Sequence, residues 1–171
     1  KFKNIFAKFI IPKPNKNSIL LSKKLDGGVL MDMGPYISAI PRLFNLKKII
    51  NKKVLIKKNN KKLIISIKFL IKFKNGVYKG IFEFGGKYTN QIKIKKDMKT
   101  VTINRVFSPP DNENLILISK NQFKSQKINF KKENCFENFF NEIQKKIRNK
   151  KFDFYYKRMI DDCNFRSKLT M

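Results

Sequence analysis

From Ile49 to Phe130, short apolar runs alternate with lysines and are separated by turns too brief to hold a helix. The run Leu63–Phe73 is the clearest. Ile65, Ile67, Phe69, Ile71 and Phe73 fall on one side, and Ser66, Lys68, Lys72 and Lys74 fall on or close to the other. This period of two marks a strand with one buried and one wet face. Asn75-Gly76 is a strong hairpin signal and leads into a strand over Val77–Phe84, with Gly85-Gly86 as the next turn. Further strands are predicted at Val54–Ile56, Gln91–Lys95, Thr100–Phe107, Leu115–Ser119 and Lys127–Phe130. Parallel neighbours need long crossovers, so connections this short predict an antiparallel meander.

The flanks carry other patterns. Phe2–Ile11 is apolar, rich in β-formers and stopped by Pro12 and Pro14. Asn15–Gly28 reads as a loop. Val29, Met33, Tyr36, Ile37, Ile40, Leu43 and Phe44 then follow helical spacing over Val29–Leu46, and Pro35 and Pro41 predict a bend. Two tail helices are predicted. Asn134–Asn149 presents Phe136, Phe139, Phe140, Ile143 and Ile147 on one stripe, and Phe154–Leu169 offers Tyr155, Met159, Ile160, Cys163 and Phe165 for burial. The expected architecture is one α+β domain over residues 1–171. It has an open, mostly antiparallel sheet with helices on one face, the first helix early and two at the C-terminus. The sequence begins with Lys1 and is expected to start inside a longer protein. No run reaches the ~18 apolar residues of a membrane span, and a cytoplasmic location is expected.

The net charge of +28 invites a polyanion partner. However, Lys, Asn, Ile, Phe and Tyr make up 99 of the 171 residues, the set that AT-rich codons favour, while arginine occurs five times. Codon bias is the simpler source of the charge, and nucleic acid is not the expected partner. Lys68–Lys74 interleaves basic and aromatic residues, which also suits single-strand binding, but it reads more simply as a strand with a lysine edge. Histidine is absent, which excludes Ser-His-Asp triads, Cys-His pairs and most zinc sites. Cys135 and Cys163 form no CxxC pair and read as free thiols. Glu137, Glu142, Asp161 and Asp162 sit among lysines and read as a solvated face, so no metal is expected.

The segment Gly27-Gly28-Val29-Leu30-Met31-Asp32-Met33-Gly34-Pro35-Tyr36 carries the chemistry. Asp32 and Tyr36 are four apart and share one face of a helix. A carboxylate presented with a phenol suits proton transfer at a carbinol or carbonyl. This segment, with Arg42-Leu43 after it and Arg105–Pro110 at a strand end, resembles the glucose-fructose oxidoreductase, inositol dehydrogenase and rhizopine-catabolism family. The resemblance covers essentially the whole chain and implies the substrate-binding and dimerisation domain of a sugar or nucleotide-sugar oxidoreductase. It implies that Tyr36 and Asp32 are catalytic, that Gly27 and Gly28 line the approach to the nicotinamide, and that Lys23, Tyr88 and Arg105 bind substrate. It further implies NAD or NADP held mainly by a domain this sequence lacks, and a homo-oligomer formed through the open sheet face. Two departures stand out. The family's E-K-P lysine motif is missing. The region where an arginine often precedes the glycines reads Ile19–Lys24, leaving only a lysine as a cation.

Overall fold

A computed structural model describes residues 3–110, 114, 116–121, 123–131, 133–149 and 152–170. Phe2 and Leu115, which the strand pattern includes, lie outside the described residues. Eight strands form one sheet: β1 (Lys3–Ile11), β2 (Ile49–Lys58), β3 (Ile64–Phe73), β4 (Gly76–Phe84), β5 (Thr89–Lys96), β6 (Lys99–Asn104), β7 (Ile116–Lys120) and β8 (Ser125–Asn129). The helices are α1 (Val29–Asp32), α2 (Gly34–Leu43), α3 (Cys135–Asn149) and α4 (Asp153–Thr170). This is the α+β class expected from the sequence.

The strand order is β2-β3-β4-β1-β5-β6-β7-β8. The meander is antiparallel as expected, with one insertion: β1 lies between β4 and β5, parallel to β4 and antiparallel to β5. The β4–β5 turn therefore has to cross the end of β1. It does so with the N–H groups of Gly85 and Gly86 both donating to the Ile11 carbonyl, at 2.9 and 3.3 Å.

One sheet face is the core. Ile5, Ala7 and Phe9 of β1, Ile67, Phe69 and Ile71 of β3, and Tyr78 and Phe82 of β4 are buried beneath Val29, Met33, Ile37 and Ile40 of the first two helices. Each such aliphatic or aromatic side chain contributes on the order of 1.5–3 kcal/mol through removal from water. Gly80 makes room within this layer. It is the register partner of Phe69, whose ring lies where a Cβ on Gly80 would stand, 2.1 Å from it.

The tail helices depart from their predicted burial. α3 has the expected apolar stripe, but Phe136, Phe139, Phe140 and Ile147 are exposed, because no described element packs over that stripe. α4 crosses α2 and reaches the core only near its end. Phe165 stacks on Phe73 with ring centroids 6.4 Å apart, and Leu169 is buried, while Met159, Ile160 and Cys163 stay exposed. Asp162, read as solvated, instead clamps this crossing. It accepts from both Nε and Nη2 of Arg42 on α2, at 3.3 and 3.0 Å.

Candidate active site

The entry to α1 is shaped by its two glycines. Gly28 is the N-cap, with φ 110° and ψ 159°, a backbone conformation that L side chains rarely adopt. Gly27 donates to the Ser22 carbonyl and Gly28 to the Leu20 carbonyl, at 2.8 and 2.9 Å. A Cβ on Gly27 would stand 2.6 Å from the Leu20 oxygen, and one on Gly28 would stand 3.0 Å from the Ile64 oxygen. The close approach these glycines permit is therefore to this chain's own backbone. They press the 3-10 turn Ile19–Leu21 and the start of β3 against α1. No open cradle for a pyrophosphate is left there, and the described residues contain no βαβ unit that would bind a dinucleotide.

The helix breaks between Asp32 and Gly34, a little earlier than Pro35 alone would place it. Met33 caps both halves, with φ −101° and ψ −4°. Pro35 occupies the first turn of α2, where its missing N–H costs least. Pro41 stays inside α2, which continues to Leu43. Asp32 and Tyr36 thus sit on either side of a kink, yet they still interact, since the Asp32 charge reaches the Tyr36 phenol.

Two distant segments hold the Tyr36 ring. It meets Phe9 of β1 edge-on at 5.7 Å and Phe107, just beyond β6, at 5.4 Å. Phe9 and Phe107 stack on one another at 5.4 Å. The ring is thereby fixed, while 36% of the residue's surface remains open to solvent. Partial burial pushes the phenol above the ordinary tyrosine value, and the charges of Asp32 and of Cys135 at the start of α3 push it further the same way. Partial burial also raises the Asp32 carboxyl. Both groups are thus shifted upward, even though the Arg166 side chain of α4 packs against Gly34 between them.

A second cluster adjoins the first through Phe107. Asn90, buried in β5 and the register partner of Phe9, receives the Phe107 N–H on Oδ1 at 3.0 Å and the Arg105 N–H on its backbone carbonyl at 2.7 Å. Its amide donates to Ser108 Oγ at 3.0 Å and to the Tyr88 hydroxyl at 3.3 Å. Arg105 lies in the left-handed region, at φ 59°, with its guanidinium 5.1 Å from the Tyr88 ring centroid. Its Nε is buried with no hydrogen-bond partner among the described residues. Burial acts to raise the Tyr88 phenol. The hydrogen bonds from Ser108 and Asn90 and the Arg105 charge outweigh it and hold the phenol below its ordinary value.

The structure therefore gathers Asp32 and Tyr36 into one cluster and Tyr88 and Arg105 into its neighbour. Lys23 is exposed in the turn before the glycines and contributes no hydrogen bond or ion pair to either. Phe9, Phe107 and Asn90 were not read as site residues. Phe9 gives no local signal, because its part depends on β1 lying beside β5. Asn90 gives no local signal either, because β5 is polar at most positions and its burial shows only once β1 is paired beside it.

No family model matches the sequence, and no curated protein matches it at a significant level. Solved structures match it by fold. A 3-ketoreductase from Actinomadura kijaniata, in complex with NADP and TDP-benzene, superposes with a TM-score of 0.86 over 98% of this chain and 52% of that chain, at 15% identity. An aldose-aldose oxidoreductase from Caulobacter crescentus gives 0.61 over 73% and 38%, at 14% identity. A UDP-N-acetylglucosamine 3-dehydrogenase from Acidithiobacillus ferrooxidans gives 0.60 over 82% and 44%, at 13% identity. The chain spans about half the length of the structures it matches, or less, and at these identities the likeness establishes the fold.

Proposed function

We propose that this chain is the substrate-side domain of an NAD(P)-dependent oxidoreductase of the glucose-fructose oxidoreductase, inositol dehydrogenase and rhizopine-catabolism family, acting on a sugar or nucleotide-sugar at a CH–OH or ketone carbon. The observation that carries this reading is the Tyr36 phenol, fixed by Phe9 and Phe107 beside Asp32 and left partly open at the end of the sheet. The fold shared with three sugar and nucleotide-sugar oxidoreductases supports it.

The nicotinamide, when present, supplies the hydride, and its pocket is assigned to residues other than these 171. This domain's part is the proton. A ketone oxygen needs a proton as its carbon is reduced. Tyr36, a phenol that is protonated at neutral pH and that burial and Asp32 raise further, is suited to donate one. In the opposite direction the tyrosinate has to accept the substrate's proton. That requires a cation beside it to bring the phenol down toward working pH, and the cation has to come from outside this pair. Asp32 orients the reacting hydroxyl. Tyr88 and Arg105 hold the rest of the substrate, through sugar hydroxyls or a phosphate, with Lys23 as a further cation on the rim. Gly27 and Gly28 act indirectly, by letting the entry to α1 lie flat so that the nicotinamide can approach.

Joined to a dinucleotide-binding domain, the chain is expected to turn over a sugar or nucleotide-sugar ketone with consumption of NADH or NADPH, read at 340 nm. The 171-residue chain alone is expected to show no such turnover. A joined protein that binds the cofactor yet consumes none across sugars and nucleotide-sugars would remove the reading.

A further inference from the structure

Asn90 is a buried amide with both side-chain polar atoms engaged, and every one of their bonds ends in the candidate site. Only an oxygen can accept the Phe107 N–H, so that bond fixes which way the amide lies. Nδ2 therefore faces Ser108 and Tyr88, and it donates to the two hydroxyls at 3.0 and 3.3 Å. Both hydroxyl oxygens are acceptors here, and neither O–H proton is used on Asn90. One of these protons can bridge the 3.3 Å between the hydroxyls. The other is left to point outward, from a tyrosine and a serine that are both exposed.

Arg105 adds more donors. Its guanidinium lies over the Tyr88 ring, its Nε has no hydrogen-bond partner, and it forms no ion pair among the described residues. The Asn90 carbonyl receives the Arg105 N–H at 2.7 Å and holds the arginine in a left-handed backbone conformation that non-glycine residues rarely adopt. The open side of the cluster thus offers O–H and N–H donors. Donors gathered in one place suit an oxygen that accepts, and best an anionic one, because a charged acceptor makes the stronger bond. Asn90 also holds the N–H of Phe107, whose ring meets Tyr36, so such an oxygen is kept at a fixed offset from the proton donor.

We infer that Asn90 is a positioning residue that sets the specificity of this site: by fixing the polarity of Tyr88, Ser108 and Arg105, it selects a sugar that carries a phosphate or carboxylate group. The inference rests on the oxidoreductase reading for the reaction, but the binding it describes needs no cofactor.

The test uses the 171-residue chain with ¹³C at Cζ of its tyrosines, Tyr88 being identified by subtraction of the Tyr88→Phe spectrum. Glucose 1-phosphate, glucuronate and the neutral methyl glucoside are titrated in turn at fixed ionic strength. The Tyr88 signal is expected to shift and saturate with at least one of the two anions, the tighter of them naming the group, and to stay in place with methyl glucoside. Reading at Tyr88 leaves out anions that meet only surface lysines elsewhere. Asn90→Asp keeps the side-chain shape and the acceptor for Phe107, but it puts an oxygen where Nδ2 stood, so both hydroxyls turn inward to donate. It is expected to weaken anion binding about tenfold or more. It should also raise the Tyr88 phenol, which loses a donated bond and gains a like charge nearby. Ser108→Ala, at an exposed position, removes a donor without changing charge or endangering the fold, and is expected to weaken anion binding about threefold or more. Circular dichroism checks the fold of each variant. Three results would each overturn the inference: no movement of Tyr88 with either anion; movement with methyl glucoside as large as with the anions; or undiminished anion binding in a folded Asn90→Asp or in Ser108→Ala. None of these readings involves a nicotinamide, so their failure leaves the oxidoreductase reading standing, and a joined protein that consumes no NADH or NADPH leaves the binding at Tyr88 to be judged by itself.

Discussion

Tyr36→Phe, made in the chain joined to a nicotinamide-binding domain, is expected to lower kcat by about 10²–10⁴-fold, the span of a positioned proton donor. The same change should leave the melting temperature nearly unmoved. The phenylalanine ring keeps the contacts with Phe9 and Phe107, and the lost hydroxyl has no hydrogen-bond partner among the described residues. A partly exposed position of this kind shifts stability by about 0.5 kcal/mol or less. The contrast between a large kinetic effect and a small thermodynamic one separates a proton-handling role from a packing role. Full activity in the variant would show that Tyr36 only fills space between two phenylalanines.

The largest stability effect is expected at the Phe69–Gly80 pair. Phe69→Ala should cost about 3–5 kcal/mol, because it removes a buried ring and leaves a cavity over a residue with no side chain. Gly80→Ala should cost about 1–3 kcal/mol for the opposite reason. Its Cβ would meet the Phe69 ring, and that ring cannot swing aside. Tyr78 holds it edge-on at 4.9 Å and Phe82 lies parallel to it at 6.1 Å. The two changes occupy the same space, so they should not add. In a Phe69→Ala background, Gly80→Ala is expected to be neutral or stabilising in urea unfolding. Strict additivity would mean that the two positions do not touch.

The same pair shows where the sequence was legible. Phe69 was readable as a buried strand position, because lysines flank it at a period of two and Asn75-Gly76 closes the hairpin. That it covers Gly80 depends on the β3–β4 register, which the turn fixes but composition does not announce. β1 is a stronger case. Its apolar, β-rich run before Pro12 marked a strand, but nothing local says that it slips between β4 and β5. That placement is what carries Phe9 to Tyr36 and Asn90 to Phe107. The candidate pair Asp32 and Tyr36 was legible from one short motif. The clamp and clasp around it come from β1, β5 and the segment after β6, and are visible only once those strands are paired. Pro35 announced the kink but not its site at Met33, because a proline is tolerated in the first turn of a new helix. In the tail, helical spacing identified α3 and α4 correctly. Spacing reports only that a stripe exists. It does not report whether a partner lies over it, and α3 keeps its phenylalanines in solvent.

The shared cause of the raised Tyr36 and Asp32 gives the account its most direct test. Labelling the tyrosines with ¹³C at Cζ and subtracting the Tyr36→Phe spectrum isolates the Tyr36 titration from the other four tyrosines. In the chain alone, Tyr36 is predicted to ionise above the ordinary value of about 10, through burial first and Asp32 second. Asp32→Asn should lower it by removing the second of these causes. Joined to a cofactor domain and loaded with oxidised nicotinamide, Tyr36 should move down, as an added cation requires. A Tyr36 that titrates at or below the ordinary value in the chain alone, or that does not move when the cofactor half is present, would contradict the claim that this domain holds the proton-handling half of the site.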